Sequence, residues 1–439
     1  MIESGKIDVG DVKDKWESYG IEVVDDPMEG IEKALVIYGS QGRATAYGIF
    51  ELSRMMGVSP WIWWADVTPA TKSTLYATKG KTIVGSPSVK FRGIFLNDED
   101  YGLRPWAARK MDTSLKNFGP VTYGKIMELL LRLRANTLWP AMHAGSRAFW
   151  FEKTNIPLIS KYDIYMGSSH CEQMLRDNVY EWSKYGGKGE EDWNWLTNRD
   201  MVKRYWADRV GESRGKNAIY TLGMRGLHDS GMNGYSTAAA RKEALTEVLE
   251  YQRQLITDSL GDPTRIPQVF IPYKEVLDVY NLGLKVPDDV TLMWVDDNHG
   301  YVRQLPSPDE QARPGGNAIY YHLSYWGTPA SYLWLSTISP TLCSYELSKA
   351  YDQGVRNQWI INVGDIKPAE EELEFCMDLA WDIDSWQPDK AHEYTREWAA
   401  RTFGEDFADE IYDIKMEYYR LGIAAKPEHV QLCHFDFSN

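Results

Sequence analysis

Carboxylic acids follow several short apolar runs in this sequence, and paired carboxyl groups can perform acid–base chemistry. In "FRGIFLNDED", residues 91–100, an apolar stretch runs into a group of acids that includes Asp98 and Asp100. Asp229 in "RGLHD" and Glu275 in "PYKEVLDVY" also follow apolar runs. Two such carboxyl groups can act as acid and base on a glycosidic bond. A single acid could instead cap a helix, so only the convergence of several indicates a site.

Histidines offer a second chemistry, a metal site. His143, His170, His228 and His322 also follow apolar runs, and neutral imidazole is a common metal ligand. Metal barrels often carry an HxH pair on the first strand, where this chain has "NDED". The sequence contains no GxSxG elbow, no phosphate-binding loop and no CxxC pair. We therefore expect carboxylate chemistry with no cofactor and no metal, and a metal-dependent hydrolase or lyase is the alternative.

The elements that must position these groups are alternating strands and helices. From residue 91 onward, short apolar runs such as "RGIFLN" alternate with helical patterns such as "VTYGKIMELLLRLRAN", which predicts a parallel sheet. Eight such runs fit a barrel, and the Gly-rich turn expected of a doubly wound sheet is absent. The sequence therefore predicts an α/β fold: a (β/α)8 TIM barrel at 91–380, a partial N-terminal α/β domain at 1–90 and the start of a C-terminal helical domain at 381–439.

Polar side chains collect after all eight predicted strands, where a barrel of this type carries its active site. Each predicted strand end supplies at least two of them. In chain order they are Asn97, Asp98 and Asp100; Trp139 and His143; His170 and Glu172; Arg225, His228 and Asp229; Tyr273, Lys274 and Glu275; Asp296, Asp297 and Asn298; His322 and Tyr325; Asn362, Asp365 and Lys367.

Composition narrows the possible partners. The chain has 439 residues and a formal charge of −15, so it is a poor candidate for binding nucleic acid. No apolar run is long enough to predict a membrane span, and no signal peptide is visible. Aromatic residues reach 13%, and many of the 18 tryptophans and 27 tyrosines stand among polar residues. Flat rings beside polar groups suit sugars, so composition favours a carbohydrate ligand.

Six motifs together resemble glycoside hydrolase family 115, the α-glucuronidases that remove glucuronic acid or its 4-O-methyl ether from xylan side chains. The motifs are "RGIFLNDEDYGLRPWA", "LRANTLWPAMH", "MGSSHCEQMLRDN", "TLGMRGLHDSGM", "WVDDNHGYVRQLP" and "INVGDIKPAE".

The resemblance implies an inverting enzyme with a polysaccharide substrate, glucuronoxylan. It also implies a secreted or periplasmic location and possible homo-oligomers of a longer form. Family members continue into a larger helical domain and a β-sandwich that this chain is expected to lack. The alternative therefore stays open that this chain is a fragment that binds uronate glycans without hydrolysing them.

The resemblance also implies roles for individual residues. Glu275 matches the glutamate thought to be catalytic, Asp229 a second essential carboxylate, and Asp98 or Asp100 the acid of the first strand. Each could instead only orient the true catalyst. Because a guanidinium can bind a carboxylate through two bonds, we expect Arg225 to pair with the substrate's uronate. The other predicted substrate contacts are Asn298, His322, Trp139, His143, Lys274, Tyr273 and Lys367, together with Arg43 and Glu51 from an N-terminal domain that leans over the cleft.

Overall fold

The N-terminal part is a small antiparallel sheet with one helix. The computed structural model describes residues 1–64, 68–97, 99–328, 331–333 and 335–427, so the predicted site residue Asp98 lies outside the described residues. Three strands pair in the order β2-β1-β3. These elements are β1 (Tyr19–Met28), β2 (Ile31–Gly39), α1 (Gly42–Met55) and β3 (Lys81–Val84).

Eight further strands form one parallel sheet in the order β6-β5-β4-β11-β10-β9-β8-β7. A parallel bridge between Met166 and Ala218 joins the two edges of this sheet. The closed sheet is the predicted (β/α)8 barrel, and the fold prediction is confirmed. Its strands are β4 (Phe91–Leu96), β5 (Thr137–Trp139), β6 (Tyr165–Met166), β7 (Tyr220–Leu222), β8 (Gln268–Phe270), β9 (Thr291–Val295), β10 (Asn317–His322) and β11 (Gln358–Val363).

Helices connect these strands, and several begin and end with capping residues. The Thr237 side chain accepts a hydrogen bond from the Ala240 amide at the start of α7, and Gly261 ends that helix with a positive φ of 97°. A short π-helical turn spans Ala107–Met111. The helices are α2 (Leu103–Trp106), α3 (Pro120–Arg132), α4 (Ile156–Tyr162), α5 (Asn178–Tyr185), α6 (Arg199–Glu212), α7 (Ala238–Leu260), α8 (Glu275–Asn281), α9 (Pro308–Gln311), α10 (Pro340–Asp352), α11 (Glu370–Trp381), α12 (Glu393–Phe403) and α13 (Glu405–Ala424).

The barrel strands are buried on both faces, which explains why they appear as continuous apolar runs in the sequence. All six residues of β4 are buried. Phe95 and Trp139 are register partners on neighbouring strands and pack with Tyr320 in the barrel interior. Ile94 and Leu96 instead join the larger core cluster that also includes the helices.

The N-terminal sheet and helix are tied to the amino-terminal end of the barrel. Glu17 is fully buried and accepts hydrogen bonds from Arg43 on α1, Arg92 near the start of β4 and Asn136 just before β5. Burial works to raise the pKa of Glu17, but the charges of Arg92 and Arg43 outweigh it and lower the pKa. This network lies at the opposite end of the strands from the predicted site.

The last two helices extend the layer around α11. Tyr419 on α13 donates to Glu371 and Glu372, and Lys415 pairs with Glu371 at 2.7 Å. Among the helices that the structure describes, none has the length and hydropathy needed to span a bilayer.

Candidate active site

A cavity of about 490 Å³ opens at the carboxyl ends of the barrel strands, where the sequence predicted the site. Its walls combine imidazoles, two carboxylates and aromatic rings. They are formed by Phe95, Asn97, Met142, His143, His170, Cys171, Glu190, His228, Asp229, Ser230, Tyr273, Tyr320, His322, Tyr325 and Trp326.

A four-residue charge cluster lies beside this cavity, where β7 and β8 end. Arg225 binds Glu275 through two hydrogen bonds of 2.7 Å, from Nε to Oε1 and from Nη2 to Oε2. Its remaining nitrogen, Nη1, donates to Asp229 and also contacts the sulfur of Cys171 at 3.4 Å. Lys274 donates to the other oxygen of Asp229. Two cations and two carboxylates thus neutralise one another in a single network.

Arg225, predicted to pair with the substrate's uronate, is bound to groups of the protein in this structure. Its side chain is only 3% exposed, and all three guanidinium nitrogens are directed at groups of the protein. The expected pairing of Arg225 with a substrate carboxylate stays a prediction, and it requires the substrate to share or displace one of these protein contacts. The structure makes Arg225 the shared counter-ion that positions Glu275 and Asp229. Lys274, whose side chain is 31% exposed, is the cation of the cluster that solvent and ligands can reach.

Asp229 is held ionised. Burial works to raise its pKa, but a hydrogen bond from His170 and the charges of Arg225 and Lys274 reverse this effect and lower the pKa well below its usual range. Burial also lowers the pKa of His170 to about 4, so this imidazole is neutral at neutral pH. The Asp229 side chain is 35% exposed at the cavity. An ionised, partly exposed carboxylate can accept a hydrogen bond from a water molecule or a sugar hydroxyl group at the cavity.

The backbone that presents Glu275 is strained. Lys274 precedes α8 with φ 52° and ψ −129°, a conformation that residues with a Cβ rarely adopt. This turn places Lys274 on Asp229 and directs Glu275, the first residue of α8, at Arg225. Strain of this kind is retained where the surrounding contacts enforce it, most often at functional sites.

His322, predicted as a substrate contact, lines the cavity on the side of β10. Its Nδ1 is hydrogen-bonded to the buried carboxylate of Asp296, which also accepts from the amides of His322 and Gly300. A carboxylate at Nδ1 fixes the proton there and leaves Nε2 as the acceptor.

Asn298 supports the cavity wall rather than forming it. Its side-chain oxygen accepts a hydrogen bond of 2.7 Å from the Tyr273 hydroxyl, and Tyr273 itself lines the cavity. The Asn298 backbone is left-handed, with φ 70°. The predicted residues Asn298 and Tyr273 are therefore brought together, and Tyr273 is the one that faces the cavity.

The acids after β4 divide into two environments. Asp100 accepts from Arg104 at 2.8 Å and is 3.2 Å from the Nδ1 of His143, so both predicted residues lie at the cleft. Glu99, which was not predicted as a site residue, is fully buried behind them and accepts from Ser146 and from the His143 amide. Burial raises the pKa of Glu99 to about 8. Nothing in the sequence distinguishes Glu99 from its acidic neighbours.

Four predicted contacts do not lie at the cleft. Trp139 is 0% exposed and packs inside the barrel against Phe95, so it cannot form a sugar platform. Arg43 is bound to Glu17 and Asp163 at the amino-terminal end of the strands. The remaining two residues also lie elsewhere. Glu51 pairs with Arg54 on α1, and Lys367 lines a separate cavity of about 500 Å³ with Trp64, Trp106 and Trp398.

The structure adds residues that the sequence did not single out. Glu190 and Ser230 hydrogen-bond to each other at 2.6 Å at the cavity, and Trp326 forms part of its wall. Cys171 also lines the cavity, but burial raises the pKa of its thiol well above the usual value. A neutral thiol is a poor nucleophile.

Among the residues that the structure describes, two clusters have donor atoms close enough to hold a metal ion, which bears on the metal-dependent alternative. They are His170, Cys171 and Asp229, and Glu99, Asp100 and His143. In the first, Asp229 is already paired with two cations, and Cys171 keeps its proton. In the second, Glu99 keeps its proton at neutral pH. Since metals bind deprotonated ligands, an ion at either cluster would have to displace a proton or compete with the cations paired to Asp229.

The fold and the cleft define a (β/α)8 barrel with a carboxylate-based site, in a cavity whose walls suit a sugar. The family model described as Glycosyl hydrolase family 115 matches residues 84–429, and this chain belongs to that family. No curated protein sequence matches the chain.

Two solved structures show how far the likeness extends. One, described as a family GH115 4-O-methyl-α-glucuronidase with specificity for decorated arabinogalactans, is 47% identical with a TM-score of 0.92. The match covers 97% of this chain and 56% of that one, so this chain spans little more than half the length of that relative. A family 89 glycoside hydrolase from Clostridium perfringens is 12% identical with a TM-score of 0.57, covering 92% of this chain and 49% of that chain. The second likeness shows the fold alone.

Proposed function

We propose that this chain carries the active site of an inverting α-glucuronidase, which releases glucuronic acid or its 4-O-methyl ether from side chains of xylan. The observation that carries the proposal is the pair of carboxylates, Glu275 and Asp229, held by one guanidinium beside the cavity. Membership of family 115 and the 47% identical 4-O-methyl-α-glucuronidase support the substrate class.

In the proposed reaction, Glu275 donates a proton to the glycosidic oxygen as the bond from this oxygen to C1 of the uronate breaks. A carboxylate on the opposite face takes a proton from water, whose oxygen forms the new bond to C1. The product therefore has the opposite anomeric configuration. Inverting enzymes need ~6.5–9.5 Å between the two carboxyl groups, which leaves room for the water.

Asp229 is the base that we favour, because it lines the cavity and is partly exposed there. Asp100 is the other described candidate, on the loop after β4. Both were open as bases on sequence grounds. Adding azide to Asp229→Ala and Asp100→Ala distinguishes them, since a small anion can replace a missing base. Rescue that yields a glycosyl azide identifies the base, and rescue of Asp100→Ala alone would contradict the assignment to Asp229.

Glu275 must be protonated before it can act as the acid, although both of its oxygens are bound to Arg225 in the absence of substrate. The substrate itself supplies a reason for the change. A uronate carboxylate that enters the cleft brings a negative charge beside Glu275, and a neighbouring like charge favours the protonated form. In this proposal the enzyme gains its acid only when the correct, charged sugar is bound.

One experiment tests both the proposed activity and the choice of polymer substrate. Purified chain is incubated with glucuronoxylan and, in parallel, with uronate-decorated arabinogalactan, because the similar structure is described as specific for the latter. Free uronic acid is measured for the wild type and for Glu275→Gln. Release by the wild type alone supports the proposal, and the ratio between polymers assigns the substrate. Uronate binding without release would instead support the non-catalytic alternative.

A further inference from the structure

Two exposed aromatic rings stand on one wall of the cleft. Tyr101 is 57% exposed and Trp326 is 44% exposed. Two neighbouring large rings that are both this exposed are unusual on a protein surface. Their centroids are 6.0 Å apart and their planes differ by only 17°, so the rings form an offset stack. Trp326 also lines the catalytic cavity, so the stack is continuous with it.

The stack is held by the charged groups after β4. The rings of His143 and Trp326 meet edge to face, with centroids 5.0 Å apart and an angle of 80°. His143 is fixed in turn by Asp100, which is itself paired with Arg104. The Trp326 indole is thus exposed to solvent, while its orientation is fixed by the His143 ring. A fixed orientation reduces the conformational entropy lost when a ligand packs on the indole.

The strand order sets the position of the stack relative to the carboxylates. Tyr101 follows β4, and Glu275 follows β8, which lies four strands away around an eight-stranded closed sheet. Trp326 follows β10 and lines the cavity together with Asp229, so the stack extends from this cavity toward the side of the barrel mouth that lies opposite β8. A glycan whose terminal sugar sits at the carboxylates must cross the mouth, and its next sugars reach the exposed stack.

We propose that Tyr101 and Trp326 bind a neutral sugar of the polymer main chain, on the leaving-group side of the scissile bond. This inference rests on the proposed function for the location of the bond. The occupant is a neutral pyranose because its ring presents apolar C–H groups to a flat aromatic surface, while its hydroxyl groups remain in water. The exposed surface of the stack thereby selects polymeric over small aryl substrates.

The test compares Trp326→Ala and Tyr101→Ala with the wild type on two substrates. One is an aryl glucuronide, which has no main chain, and the other is a xylo-oligosaccharide carrying one uronate. We expect kcat/KM for the oligosaccharide to fall about tenfold, chiefly through KM, and kcat/KM for the aryl substrate to fall by a clearly smaller factor. Tyr345→Ala is the matched control, because Tyr345 is 57% exposed on α10 and does not line the cavity.

Equal losses on both substrates would show that the rings only support the fold, and unchanged rates on both would remove them from substrate binding. A binding experiment separates this proposal from the proposed function. Undecorated xylo-oligosaccharide and galacto-oligosaccharide are titrated into each protein while tryptophan fluorescence is recorded. Saturable binding that Trp326→Ala weakens supports the stack even if no uronic acid is released. Absence of binding to the wild type at millimolar sugar, with the aryl glucuronide hydrolysed, would overturn the inference alone.

Discussion

Arg225 binds both carboxylate oxygens of Glu275, with Nε–Oε1 and Nη2–Oε2 distances of 2.7 Å. A paired, two-bond contact of this kind fixes the direction of the carboxylate as well as neutralising it. Since the same guanidinium also binds Asp229, one buried cation sets the relative position of the two proposed catalytic groups. Arg225 is therefore a positioning residue, and its loss should disturb stability and catalysis together.

Replacing Arg225 with Leu should leave Glu275 and Asp229 beside each other without their common counter-ion. We expect the free energy of unfolding to fall by about 2 kcal/mol, as for hydrogen bonds to charged groups at a largely buried position. Activity should fall about 100-fold or more, because small errors in the position of catalytic groups are costly. Urea denaturation and initial rates measure the two effects. Arg396→Leu is the control, since Arg396 forms only exposed ion pairs, and it should leave both quantities unchanged.

Glu275→Gln should separate substrates by their need for acid assistance. An activated aryl glucuronide has a good leaving group, so its hydrolysis should fall much less than release of uronic acid from xylan, which should fall about 10²–10⁴-fold. Rates on the two substrates give the comparison. Asp278→Asn, an exposed change on the same helix, should leave the rates on both substrates unchanged. Near wild-type rates on both substrates would show that Glu275 is not the acid.

Much of the fold could be predicted from the sequence because buried segments require apolar residues at regular positions. A strand such as β4, buried on both faces, must be apolar throughout, and the amphipathic helix that follows must repeat its apolar residues at three and four. The bridge between Met166 and Ala218, which closes the sheet, is a single contact that requires no particular residue pattern. It could be inferred only from the count of eight strands.

The site could be predicted at the level of strand ends but not of side-chain direction. Trp139 is the last residue of β5, and Tyr273 follows the end of β8, so their positions in the sequence look alike. The register pairs Trp139 with Phe95 and buries its side chain inside the barrel, whereas Tyr273 lines the cavity. Arg225 looked available for a ligand because residue type and spacing do not show that Asp229 and the distant Glu275 both bind its guanidinium group. Both cases share one physical cause: direction and pairing are set by tertiary packing, which residue type and spacing do not encode.

Lys274→Ala tests which cation recognises the uronate, now that Arg225 is engaged by the protein. Lys274 is 31% exposed and already orients Asp229, so a substrate carboxylate can share its ammonium group. We expect KM for an aryl glucuronide to rise about tenfold relative to KM for the matching neutral glucoside. Lys367→Ala, which alters the separate cavity, should leave this ratio unchanged. Equal losses for the charged and neutral substrates would assign Lys274 to the support of Asp229 alone.

Glu99 should make the stability of the protein depend on pH in an unusual direction. Burial raises its pKa to about 8 in the folded chain, whereas the unfolded chain releases this proton near the ordinary value of 4.5. Between these two pH values the folded state holds a proton that the unfolded state has lost. The stabilising effect of Glu99 is therefore complete below the unfolded pKa and is lost as pH rises toward 8, by up to about 1.4 kcal/mol for each pH unit.

Glu99→Gln should remove this dependence, because an amide oxygen can still accept the hydrogen bonds from Ser146 and the His143 amide but cannot ionise. Urea denaturation at intervals from pH 5 to 8 measures the effect. The variant should lose less stability than the wild type across this range, and the two curves should converge at the acidic end. Asp100→Asn is the control, since Asp100 is a partly exposed acid on the same loop. Parallel curves for the wild type and Glu99→Gln would show that Glu99 is ionised in the folded protein, which would return the cluster of Glu99, Asp100 and His143 to consideration as a metal site.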